Sequence, residues 1–130
     1  MNWTIDYLKE DGIVHAKMSG MVTWEESKKM NEEVFSFARS KGAHRCLLEH
    51  PQIEHNLSLL QIDDLPKLLK ELGLGTEDKL AVLVNASSSC GKACRFFENV
   101  SRLASLQVRH FTDFEKALNW LKSNQPDKQK

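Results

Sequence analysis

Lys79-Leu80-Ala81-Val82-Leu83-Val84 decides the fold. After its opening lysine this run is apolar throughout and has the length of a strand, which is the pattern of a strand covered on both faces. Such a strand belongs in a largely parallel sheet with helices packed against it. Upstream, Ile62, Leu65, Leu68, Leu69 and Leu72 recur at helical spacing, with Asp63 and Asp64 in front and Gly73 behind. They predict a short helix that accommodates Pro66 in its first turn. Further upstream, Arg45-Cys46-Leu47-Leu48-Glu49 is a second short apolar run, stopped by Pro51, and His50 to Gln61 is a polar stretch.

The same reading extends to both ends. Trp3, Ile5 and Tyr7 alternate with polar residues, Asp11-Gly12 supplies turn chemistry, and Val14, Ala16 and Met18 alternate again, which predicts an opening hairpin. Thr23-Trp24-Glu25-Glu26 has the form of a capping box, and the helix behind it reaches Gly42 with Met30, Val34, Phe37 and Ala38 as its apolar stripe. Beyond the central run, Asn85 to Ser89 is a polar loop rich in N-cap residues. A helix follows, with Ala93, Phe96, Phe97, Val100, Leu103 and Ala104 on one face and Lys92, Arg95, Asn99 and Arg102 on the other. Gln107 to Phe111 reads as a last strand. Thr112-Asp113-Phe114-Glu115 reads as a second capping box, opening a helix whose stripe is Phe114, Ala117, Leu118 and Leu121. The order is ββαβαβαβα, an α/β fold in which only the opening hairpin is antiparallel. Residues 1–123 form one domain in this reading, and residues 124–130 a frayed tail.

This element order, with Leu47-Leu48-Glu49 after a Gly-terminated first helix and a closing stretch from Phe111 to Leu121, resembles the SpoIIAA-like group of STAS/SEC14-type domains. The resemblance implies a small bacterial regulatory or ligand-binding domain. In the anti-sigma-factor antagonists of the wider STAS family, a phosphorylatable serine follows the strand that matches Arg45 to Glu49, within an Asp-x-Ser-Gly motif. Here that stretch reads Glu-His-Pro-Gln-Ile-Glu-His-Asn-Leu-Ser, so Ser58 is the residue to which the resemblance assigns the phosphosite, without the glycine.

Charge narrows the class of partner. The chain of 130 residues carries 18 Lys+Arg against 18 Asp+Glu. Proteins that hold nucleic-acid phosphates or anionic membrane surfaces normally carry a basic surplus, so neither partner is expected. The balance is uneven along the chain: residues 1–65 hold four more acids than bases, and residues 66–130 four more bases than acids. The acids concentrate at Glu25, Glu26, Glu32 and Glu33, the bases at Lys92, Arg95, Arg102 and Arg109. The two sets are expected to face each other in the monomer or to join two molecules in a salt-sensitive homodimer. No apolar run is long enough to span a membrane. Cys46, Cys90 and Cys94 lack the spacing of a disulfide framework and read as reduced thiols of a cytoplasmic protein.

Three groups of residues carry candidate chemistry. Ala86 to Ala93 follows the central strand and opens a helix, the setting of a phosphate-binding loop, but Ala93 and Ala86 replace the metal-holding hydroxyl and the first glycine. What remains is a helix N-terminus where Ser87, Ser88, Ser89, Lys92 and Arg95 can bind a carboxylate or phosphate without hydrolysing it. Glu49-His50 and Glu54-His55 are carboxylate–imidazole couplets beyond a strand's carboxyl end, the edge where open α/β sheets place ligands. Met18, Met21 and Met30 can line an apolar pocket. The reading is a non-enzymatic domain, without a metal or other cofactor. It binds a partner protein or a small anionic or amphipathic, lipid-like ligand at that edge, with His50 and His55 in the site. The alternative is a small hydrolase or transferase using His50, His55 and Cys90.

Overall fold

A computed structural model describes residues 2–51, 54–85 and 91–123, and of residues 54 and 55 the backbone only. The central run is the strand β6 (Lys79–Leu83), buried at every position. It is the fourth strand of a five-stranded sheet that also holds β1 (Asn2–Leu8), β2 (Ile13–Ser19), β4 (Arg45–Glu49) and β7 (Gln107–Phe111), in the spatial order β1-β2-β4-β6-β7. Only β1 and β2 are antiparallel, and the remaining pairs run parallel. Gly12, at φ +67°, lets the first turn close onto Leu8, whose carbonyl accepts from the Gly12 N–H at 2.8 Å. Two short strands outside the sequence reading, β3 (Met21–Val22) and β5 (Glu54–His55), pair parallel beside the sheet. At two residues each they are too short to show any alternation.

The helices are α1 (Trp24–Lys41), α2 (Leu59–Glu71), α3 (Gly91–Leu103) and α4 (Phe114–Lys122). Because strand side chains alternate, the sheet has two different faces. Val14, Ala16, Cys46, Leu48, Leu80 and Val108 pack with α1 and α2 residues on one, whereas Ile13, Leu47, Ala81 and Leu83 pack with α4 alone on the other. The α4 face contains an unusual tie. Lys79 is 2% exposed, and its ammonium donates to the carbonyls of Trp120 (2.9 Å) and Ser123 (3.0 Å) at the carboxyl end of α4. A buried cation there complements the negative end of the helix dipole. Arg45 adds a bond from Nε to the Leu121 carbonyl at 2.8 Å.

Several boundaries differ from expectation, each for a local reason. Helix α2 starts at Leu59, before Asp63 and Asp64, because Ser58 and Gln61 form a reciprocal capping box: Ser58 Oγ accepts from Gln61 N, and Gln61 Oε1 from Ser58 N. Pro66 therefore lies inside the helix and not in its first turn, giving up one backbone bond while its ring is buried. On α1 the buried stripe contains Phe35, and Phe37 packs only at its flank. On α3 Phe97 and Ala104 of the predicted stripe pack against the core and Ala93 lines a cavity, but the buried residues are Cys94 and Ser101 and Leu103 is 86% exposed, so the buried face is shifted from the predicted stripe. Asp113, not Thr112, caps α4, accepting from Glu115 N and Lys116 N, and Phe114 stays outside the buried stripe. Helix α2 lies between α1 and α3, which keeps the acids of α1 from facing the bases of α3 directly.

Helix α3 ends on Ser105, the one non-glycine residue at positive φ (65°) among those described. Its left-handed backbone closes the helix through Leu106 N to Ser101 O at 2.9 Å. Removing the Cβ relieves the steric cost of that conformation, so Ser105→Gly should stabilise the chain by about 1 kcal/mol. A higher urea midpoint at unchanged slope is the expected readout.

Candidate functional site

Beyond the carboxyl ends of β2, β4, β6 and β7 the sheet and helices α1, α2 and α3 enclose a half-open cavity of about 120 Å³. Alternation along the strands builds its floor. Met18, Leu48, Val82 and His110 all point to the three-helix side, and Met30, Leu65 and Phe97 close it from the helices. Nearly all of its wall is apolar. Its polar groups are therefore few, and each can be traced to the element that places it.

His50 follows β4 and keeps the parity of Cys46 and Leu48, so its ring enters the cavity wall and is 3% exposed. Its Nε2 lies 3.1 Å from the carbonyl of Gly20. A carbonyl only accepts, so Nε2 carries hydrogen and the neutral ring has its lone pair at Nδ1. Gly20, at φ +93°, takes the left-handed turn between β2 and β3 at which that carbonyl is presented. His50 Nδ1 is buried without a hydrogen-bond partner among the described residues.

Asn31 sits on the buried stripe of α1 and is 4% exposed. Its Nδ2 donates to the Ser27 carbonyl at 2.8 Å and to Ser27 Oγ at 3.3 Å. The carbonyl bond fixes the amide orientation, and Oδ1 is left buried without a partner among the described residues. Both Asn31 and Ser27 line the cavity. Sequence reasoning missed them, although polar residues on the buried stripe, Ser27 one turn before Met30 and Asn31 between Met30 and Val34, are a recognisable signal.

His110 forms the third polar part of the wall. Glu98 on α3 receives its Nδ1 and its backbone N–H, both at 2.8 Å, through one carboxylate oxygen. Burial pushes the Glu98 carboxyl up, but the two hydrogen bonds from His110 and the charges of His110 and Arg109 outweigh it and hold the group below its ordinary 4.5. A group lowered on folding stabilises the fold above its unfolded value and loses that contribution as the pH falls through the folded one. Glu98→Gln should thus lower stability at pH 7, and the gap to the parent should close as the pH falls below about 4.5. Urea titrations at several pH values check this.

Neither a model of a known protein family nor a curated protein matches this chain.

The structure separates residues that the sequence places together. Glu49 turns to the α4 face and binds His15 at 2.8 Å, so it forms no couplet with His50 on the other face. Met18 and Met30 line the cavity, but Met21 is 46% exposed. Ser58 is exposed and serves as the cap of α2. Lys92 and Arg95 are exposed on α3, whereas Ser87, Ser88, Ser89 and Cys90 lie outside the described residues, as does the side chain of His55. Cys94 lines the cavity and is disulfide-bonded, contrary to the expectation of reduced thiols. Cys46 is a free thiol, pushed up to about 12 by burial and by the Asp78 charge, and so is no nucleophile at neutral pH. Among the described residues no histidine bonds a hydroxyl or thiol: three pair with carboxylates and His50 with a carbonyl. Nor do three His, Cys, Asp or Glu side chains gather there as a metal site.

Proposed function

We propose that this chain is a non-enzymatic, SpoIIAA-like binding domain whose cavity at the carboxyl edge of the sheet takes a small amphipathic ligand. The cavity carries this reading: its wall is apolar, its few polar groups converge on it, and it lies at the sheet edge where α/β folds place ligands. A closed cavity of about 150 Å³ holds benzene, so this smaller but half-open one of about 120 Å³ takes at most a single ring or short branched chain. Native mass spectrometry of freshly purified protein should show a retained small molecule, or thermal shift with ring-sized amphiphiles a saturable stabilisation. Absence of both overturns the reading. Phosphate and carboxylates serve as the contrast: if binding at Lys92 and Arg95 were the function, exchanging both for Glu would abolish an anion-dependent shift.

A protein partner is the second reading, and it rests on a separate observation. Leu59 and Leu60, in the first turn of α2, are 66% and 78% exposed beside the cavity residue Leu57. Leucines that solvated are costly surface unless covered. A homodimer joining the acids of α1 to the bases of α3 in a second copy would weaken with salt, whereas one seated on Leu59 and Leu60 would not. Sedimentation at low and high ionic strength distinguishes them, and a monomer at all concentrations removes both. Cytoplasmic location belongs to the same proposal, and cell fractionation tests it.

A further inference from the structure

We infer that the ligand of this cavity is a neutral molecule whose polar end donates hydrogen bonds, a small alcohol or phenol and not a carboxylate, phosphate or plain hydrocarbon. The inference rests on the cavity reading above and adds the chemistry of the ligand's polar end. Two side-chain acceptors carry it. Asn31 Oδ1 and the lone pair at His50 Nδ1 are both buried without partners among the described residues, and both residues line the one cavity. Their donors are already committed, Asn31 Nδ2 to Ser27 and His50 Nε2 to Gly20. What remains open to a ligand is acceptor capacity.

An anionic head would bring more lone pairs to acceptors already in excess, with no lysine or arginine among the described residues of the cavity lining to balance the charge. A hydrocarbon would leave both acceptors buried and unpaired, which is the costly state of a polar group. A hydroxyl attached to a ring or branched chain adds no charge and donates one hydrogen bond, to one of the two acceptors. Sites built this way discriminate strongly against analogues that lack the donor.

The test is a series of nearly isosteric probes, titrated by calorimetry into the full chain: phenol, anisole, toluene and benzoate. Phenol should bind about 10-fold or more tightly than anisole and toluene, the factor expected of one hydrogen bond gained. Benzoate should bind most weakly. In Asn31→Leu, which replaces the amide by an apolar group of similar size, phenol should lose most of its advantage over toluene. Equal affinity for phenol, anisole and toluene overturns the inference and leaves the cavity reading standing, the result expected if a trapped water already supplied the donors. Tightest binding of benzoate overturns it as well. If no probe binds, both the inference and the cavity reading fail. The series on the unsubstituted chain decides the matter even if Asn31→Leu does not fold.

Discussion

Lys79→Met should cost the chain about 3–5 kcal/mol, an appreciable share of the total stability of a domain this size. The side chain is almost completely buried, and its ammonium gives charge-assisted hydrogen bonds to Trp120 O and Ser123 O, each worth about 1.5–3 kcal/mol. Methionine keeps most of the apolar stem against the Trp120 ring, which Lys79 Nζ overlies at 5.0 Å. It supplies no donor, so the terminal carbonyls of α4 lose their partner. Since α4 alone covers that face of the sheet, its fraying should expose Ile13, Leu47 and Ala81. A lower urea midpoint and faster amide exchange in α4 are the expected signs. A loss below about 1 kcal/mol would mean that water replaces the lysine without penalty.

The second large effect concerns the cavity. Met30→Trp should abolish ring-sized ligand binding while changing stability by no more than about 1 kcal/mol. Met30 is buried in the cavity wall on α1, which it shares with the floor residues Met18 and Leu48 and with its own neighbour Asn31. An indole there occupies the open volume. Overpacking a filled core costs about 1–3 kcal/mol, but the half-open space gives the ring somewhere to go. Thermal shift with phenol checks both halves: the parent should be stabilised and Met30→Trp should not, with a similar Tm in the absence of probe. Retained phenol-dependent stabilisation would place the binding site elsewhere.

The sheet was the most legible part of the molecule because its strands carry the strongest patterns. Lys79–Leu83 and Arg45–Glu49 fall where the apolar runs place them, and the hairpin follows from strict alternation. Helix faces were less legible. On α3 aromatic and leucine residues occur on more than one side, and the tertiary requirement to set Glu98 beside His110 and to bury Cys94 and Ser101 selects a face that hydrophobicity alone does not. The start of α2 was encoded in Ser58-Leu59-Leu60-Gln61, a capping box outweighed by the acids and proline that follow it.

Of the candidate site, the sheet edge and His50 could be read, since a histidine just past a buried strand's end is visible in the sequence. The pairing of His50 with Glu49 could not stand, because consecutive residues along a strand face opposite ways. Asn31 and His110 needed the structure. Asn31 is an isolated polar residue within an apolar stripe, and the approach of His110 to the same space follows from parallel register between β6 and β7, where Val82 stands opposite His110. Distances between elements of this kind leave no trace in spacing along the chain.

The most direct measurement is a phenol titration followed by amide and methyl chemical shifts of the unsubstituted chain. Saturable shifts gathered at Met18, Asn31, His50, Val82 and His110, and absent from Met30→Trp, are the predicted result. Shifts that do not saturate, or that gather at Leu59 and Leu60 and leave the cavity residues unmoved, would contradict a binding cavity at the carboxyl edge of this sheet.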